Sequence, residues 1–184
     1  PTSYIPTNGS SVTRSAETAN GSGDASTFND SEGVLMAEIS ALDNDGTVRS
    51  IAISGSVTND VVRIYYDGVS NGLTAFVYDG AYQTVFTTVL NNITENNKIA
   101  FSYKLNQFKL FINGLQIGST DLSGNSPNGL NTLNFDNGYG SEYFYGNTKQ
   151  IQYYDSALTD SELETLTSWV SFSDMANGQL YTIE

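Results

Sequence analysis

From Val34 onward the chain repeats one pattern: a short run of β-branched and aromatic residues, then a turn, at roughly the eight-to-twelve-residue spacing of an all-β domain. The runs are Val34–Leu42, Val48–Ser54, Val61–Tyr66, Leu73–Tyr78, Val85–Leu90, Ile99–Leu105, Phe108–Asn113, Leu130–Phe135 and Gln150–Tyr154. Asp45-Gly46, Asp67-Gly68, Asp79-Gly80 and Asn113-Gly114 stand between them and supply the positive φ that tight hairpins require. Nine strands with one late helix predict a single-domain antiparallel β-sandwich of jelly-roll type. Residues 1–33 are polar and broken by Asn8-Gly9 and Asn20-Gly21. They read as a lead-in segment lying over the surface of a 34–184 sandwich, with one short strand near Val12-Thr13-Arg14.

Alternation inside each run sorts side chains between the core and the outside. Ile99, Phe101, Tyr103 and Leu105 form one apolar set, which leaves Lys104 on the other face. Phe108, Leu110 and Ile112 point inward, and Lys109, Phe111 and Asn113 outward. The closing strand buries Ile151 and Tyr153 and exposes Gln150, Gln152 and Tyr154, while Val61–Tyr66 exposes Arg63 and Tyr65. Leu73–Tyr78 has no clear phase, because Ala75 and Val77 compete with Phe76 and Tyr78 for the core.

The helix is predicted over Asp160–Trp169. Thr159 as N-cap and Glu162 at N3 make a capping box, and Leu158 with Leu163 form a hydrophobic staple. Leu163, Leu166 and Val170 share one face, which packs the helix against an end of the sandwich. Trp169 at its end reads either as an anchor into the domain edge or as a sugar platform.

Composition narrows the chemistry. The 184 residues include no cysteine and no histidine, which removes disulfides, thiolate zinc sites, His triads and His metal sites. Seven basic residues stand against 20 acidic ones, a net charge of −13, so phosphate-directed binding to nucleic acid is excluded as an expectation. No apolar run approaches the ~20 residues of a membrane helix, so membrane insertion is not expected. The chain opens on Pro1-Thr2-Ser3 rather than Met, which reads as a processed product or an excised domain.

Two segments carry a family resemblance. Lys98-Ile99-Ala100-Phe101-Ser102-Tyr103-Lys104, continuing through Lys109-Leu110-Phe111-Ile112-Asn113-Gly114, resembles the central hairpin of laminin-G-like, concanavalin A-like jelly rolls. Ile151-Gln152-Tyr153-Tyr154 and Ala157-Leu158-Thr159-Asp160-Ser161-Glu162-Leu163 are similar to that family's closing strand and helix. Lys149 and Gln150 stand where the family usually has acidic residues before that strand, which weakens any inherited ion-binding role. The opening Thr2-Ser3-Tyr4-Ile5-Pro6-Thr7 resembles a lead-in found beside such domains in bacteriophage tail and virion proteins.

The resemblance implies a noncatalytic carbohydrate-binding or adhesion module on a virion or extracellular surface, with a polysaccharide or cell-surface glycan as partner. A structural virion domain and an atypical polysaccharide-degrading enzyme are the alternatives. The catalytic patterns of related enzymes fail here: Glu38-Ile39-Ser40-Ala41-Leu42-Asp43 lacks the remaining carboxylates of a glucanase strand, and Gln150-Ile151-Gln152 lacks the lyase histidine. The outward residues Arg63, Tyr65, Lys104, Lys109, Phe111, Gln150, Gln152 and Tyr154 are expected to gather on one concave sheet. Flat rings to stack on sugar C–H faces, amides and cations would then lie together, with an anionic polysaccharide such as a uronate as one possible ligand. The alternative reading is that the same side chains cover an exposed sheet. Asp43 and Asp45 in Leu42-Asp43-Asn44-Asp45-Gly46 offer hard oxygen ligands for a structural calcium, or form an ordinary turn. Asp136-Asn137-Gly138 with Glu142 is an equal candidate for the ion.

Overall fold

The structure, a computed structural model, describes residue 9 and residues 22–55 and 59–169. Ten strands follow in chain order: β1 (Glu32–Ala41), β2 (Arg49–Gly55), β3 (Asp60–Tyr66), β4 (Gly72–Asp79), β5 (Tyr82–Val89), β6 (Asn97–Lys104), β7 (Gln107–Ile112), β8 (Leu115–Asp121), β9 (Leu130–Asn134) and β10 (Gly146–Tyr154). A helix, α1 (Asp160–Thr167), follows them. The strands pair antiparallel into two five-stranded sheets, in the orders β10-β1-β6-β7-β8 and β5-β4-β3-β2-β9. The chain changes sheet after β1, β5, β8 and β9, and these crossovers make a jelly-roll sandwich. Among the described residues no helix is long and apolar enough to cross a membrane.

Period-two alternation builds the core. Leu35, Ala37 and Ile39 of β1 and Ile99, Phe101 and Tyr103 of β6 meet Ile51, Ile53, Val62, Ile64 and Tyr66 from the opposite sheet in one buried cluster. In β4 the ambiguity resolves: Leu73, Ala75 and Val77 face this core, so Phe76 and Tyr78 face out. Phe101 and Phe108 of the facing sheet join these β4 residues in the same close-packed cluster.

β8 is the strand that the hydrophobic pattern does not reveal. It is a polar edge strand with Leu115 exposed, so burial imposes no alternation on it. Asn113 and Gly114 both have positive φ, 50° and 85°, in the two-residue turn that joins it to β7. Gly68 does not take the expected positive φ; Asn71 does, at 56°, and its side-chain oxygen accepts the N–H of Ile93.

The part of the lead-in that is described is tied into the sandwich. Phe28 is in the core, the Tyr103 hydroxyl donates to the Asn29 carbonyl at 2.6 Å, and Asp30 accepts the N–H groups of Gly129 and Leu130. The strand expected at Val12-Thr13-Arg14 and the apolar contact of Val170 lie outside the described residues.

The capping box at Thr159 and Glu162 forms as expected, with both reciprocal bonds present. The helix ends at Thr167, with Ser168 as C-cap. Its apolar side, Leu163 and Leu166 with Leu158, lies on the outer face of the first sheet against Val34, Met36, Ala100 and Phe111. Gly114 N–H donates to Thr167 Oγ1 at 3.1 Å, and a Cβ at Gly114 would lie 2.7 Å from Ser168 Oγ. Phe111, expected as an exposed ring, is therefore only 4% exposed beneath α1. Phe111→Ala should lower unfolding stability by about 3–5 kcal/mol, the cost of emptying a packed aromatic site. A denaturant melt within error of wild type would show that α1 does not rest on this ring.

Candidate functional site

The eight residues proposed from sequence divide between the two sheets. Lys104, Lys109, Phe111, Gln150, Gln152 and Tyr154 lie on β6, β7 and β10 of the first sheet, and α1 packs on that face. Lys109 is ion-paired with Asp160 at the start of α1, and Lys104 with Glu32 at 3.1 Å. The Tyr154 hydroxyl donates to the Gln152 side chain, and its ring joins the apolar cluster beneath the helix. Arg63 and Tyr65 lie on β3, in the second sheet. The expected single cluster therefore does not form, because strand pairing sends β3 to β2 and β4 rather than to β6 or β7.

The second sheet offers a different arrangement on its outer face. Strand register sets Ala52, Arg63 and Phe76 side by side across β2, β3 and β4. Ser50, Tyr65 and Thr74 form the row on one side of it, and Ser54, Val61 and Tyr78 the row on the other. Tyr78 pairs in turn with Tyr82 of β5. Tyr65 meets Phe76 edge to face at 5.9 Å, Phe76 meets Tyr82 at 5.2 Å, and Tyr82 meets Tyr78 at 5.2 Å. Interlocked rings of this kind hold one another's orientation before any ligand arrives.

Arg63 occupies the centre. Its guanidinium lies 4.2 Å from the Tyr65 ring centroid and 5.6 Å from that of Phe76. The same guanidinium donates to Ser50 Oγ at 2.7 Å and to the Glu142 carboxylate, with which it is ion-paired.

Glu142 comes from the loop between β9 and β10, with φ of 55°, and its carbonyl accepts the Ser50 N–H. The loop rests on β2 through Gly138, where φ is 90° and a Cβ would lie 2.9 Å from the Ser54 Cβ. The packed loop forms a wall beside a floor of rings, with Tyr139 (40% exposed) and Tyr82 (64% exposed) open to solvent.

Phe76, Tyr78, Tyr82, Ser50 and Tyr139 were not singled out from sequence as binding residues, and Glu142 was named only as a candidate ion ligand. One signal was available. Phe76 and Tyr78 share a phase, and the 67–72 turn brings them into register with Arg63 and Val61.

The calcium candidates do not fit an ion. Asp45 accepts the Thr47 N–H and the Arg49 guanidinium, each at 2.9 Å, and these bonds hold its carboxyl at about 2. Asp43 accepts the N–H of Asn44. Asp136 caps its own turn through the Gly138 N–H, and Glu142 is engaged by Arg63. A guanidinium already supplies the positive charge at both places, and among the described residues no group of three or more acidic side chains is placed to hold a metal. The glucanase-like Glu38 is buried and ion-paired with Lys149 at 2.8 Å.

Two five-stranded antiparallel sheets joined by crossovers make a jelly-roll sandwich domain. The chain matches the family described as "Concanavalin A-like lectin/glucanases superfamily" over residues 39–164, and it belongs to that family. No match is found among curated proteins. Among solved structures it is similar to the Ruminococcus gnavus IT-sialidase CBM40 bound to α2,3-sialyllactose. That pair shares 17% identity at a TM-score of 0.64, covering 78% of this chain and 86% of the other. It is also similar to domain 4 of AbnA, a GH43 extracellular arabinanase from Geobacillus stearothermophilus, in complex with arabinotriose. Here identity is 13% and the TM-score 0.59, covering 85% of this chain and 82% of the other. Similarity to the Trypanosoma rangeli sialidase, 13% identical at a TM-score of 0.58, covers 84% of this chain but 24% of that one. At these identities the likeness is one of fold.

At the end of β3 and β4, in the core-facing phase of Val62 and Val77, Asp60 pairs with Asp79. Burial raises the Asp60 carboxyl above its ordinary value of 3.8, and its hydrogen bond to Asp79 and the charges of Asp79 and Asp30 push the same way. The native state thus holds this proton more tightly than the unfolded chain does. Stability is lost as pH rises from the unfolded value through the higher native one. Asp60→Asn should remove that loss, so the variant should melt above wild type at neutral pH and approach it in acid. Melting curves that run parallel across that range would contradict the assignment.

Proposed function

We propose that the chain is a noncatalytic carbohydrate-binding module that holds a glycan on the outer face of the second sheet. The observation that carries this reading is the interlocked row Tyr65, Phe76, Tyr82 and Tyr78, flanked by the hydrogen-bonding groups of Arg63, Ser50 and Glu142. Aromatic faces stack on sugar C–H surfaces, and a few fixed polar groups orient the hydroxyls. The fold-level neighbours, a sialidase CBM40 with sialyllactose and an arabinanase domain with arabinotriose, support a glycan as the partner.

The carboxylates on this face are unsuited to glycoside hydrolysis. Retaining enzymes hold their pair about 5–5.5 Å apart and inverting ones roughly 6.5–9.5 Å. On the face itself Glu142 is neutralised by Arg63, and Asp60 and Asp79, in the core-facing phase at the end of β3 and β4, share a hydrogen bond with each other. The acidic surface supports a partner other than nucleic acid, and an extracellular or virion-surface location accords with glycan binding.

Tyr82 provides the test, since it is exposed and begins a strand. Tyr82→Ala should leave the melting temperature near wild type and weaken the best glycan found on an array about tenfold, the loss of an aromatic anchor worth more than ~1 kcal/mol. Undiminished binding by this variant would remove the ring row from the site. Silence of wild type on the array would favour a structural role in assembly, and sugar release would favour an enzyme.

A further inference from the structure

Resting on that reading, we propose that the ring-lined face selects neutral glycans and rejects sialylated or uronate ones. The inference follows from where the chain places its few cations. Six of the seven basic residues are described, and each is already engaged. Arg49, Lys104, Lys109 and Lys149 are ion-paired with Asp45, Glu32, Asp160 and Glu38, respectively. Lys98 donates to the Ser168 carbonyl at 3.0 Å and stands over the Trp169 ring. Among the described residues, Arg63 is the one cation on the outer face of the second sheet.

Arg63 is not available to a ligand carboxylate. Its guanidinium is committed to Glu142 and Ser50 and stacked on Tyr65. In the ion pair the Arg63 side chain is 11% exposed and the Glu142 side chain 40%, so an approaching ligand meets the carboxylate first. An acidic sugar would have to displace Glu142 to reach the guanidinium, and would do so on a chain of net charge −13. A sugar hydroxyl meets the opposite situation. It donates to the remaining lone pairs of Glu142, a charge-assisted bond, while the ring face of the sugar rests on Tyr65 or Tyr82.

The test titrates full-length protein with matched probes: lactose against 3′-sialyllactose, and galactan against polygalacturonate. Neutral probes should bind at least tenfold more tightly than their acidic partners. Because the discrimination is repulsion, raising salt from about 0.01 M to about 1 M should strengthen residual binding of the acidic probes and leave the neutral ones unchanged. Glu142→Gln should narrow the gap about tenfold, while the salt series on wild type needs no substitution to be read. Equal or tighter binding of the acidic probes, or acidic binding that weakens with salt, overturns the selectivity and leaves the glycan site standing. Binding of no neutral or acidic glycan, on these probes or on an array, overturns the glycan reading and the selectivity with it.

Discussion

Leu163 is fully buried between α1 and the outer face of the first sheet, in contact with the apolar patch formed by Val34, Met36, Ala100 and Phe111. The two sheet faces differ because of this packing. A sandwich buries only its inner faces, and each outer face goes to solvent, to a ligand or to another element of the chain. Here the helix takes one. β1 shows the consequence directly: nine of its ten residues are buried, because it packs against the core on one side and beneath α1 on the other. Over the outer face of the second sheet lies a loop instead of a helix: Gly138 rests on Ser54 and Glu142 on Arg63; Ala52, Val61 and Phe76 are buried, and Tyr82 and Tyr139 stay exposed.

Closing one face also settles where charge is spent. Lys109 is held against the first turn of α1 by Asp160, and Lys98 is drawn to the backbone at the C-terminal end of the same helix, where carbonyls lack intrahelical partners. On the open face the lone arginine is held by a loop carboxylate and a serine, and its flat surface lies on a tyrosine. The arrangement uses the guanidinium as a structural centre that fixes the rings and the 136–142 loop. A rigid, prepaid geometry of this kind lowers the ordering cost of binding a flexible sugar.

Much of the fold was legible from alternation and turn chemistry. The inward residues of β6, β7 and β10 (apart from Leu105, which lies exposed in the turn after β6), the capping box at Thr159 and Glu162, and the Asn113-Gly114 hairpin all follow from local rules, because each depends on residues within a few positions of one another. The edge strand β8 escaped because neither of its faces is buried. The candidate site was legible only in part. Arg63 and Tyr65 were read as outward and do face outward, but they were grouped with residues of the other sheet.

What the sequence alone determined is the class of structure and the side of each strong strand that leaves the core, since a period of two is a property of the strand itself. It also determined the charge balance, and so the classes of partner that a net charge of −13 disfavours. Tertiary structure alone decided which strands share a sheet, which outer face α1 covers, and that Phe111 is buried beneath that helix while Phe76 is buried among rings on the other sheet. Alternation reports that a side chain points away from the core. Whether it then meets water, a helix or other rings depends on long-range packing: Phe111 lies under α1, Phe76 lies against Tyr65 and Tyr82, and Tyr82 itself reaches solvent.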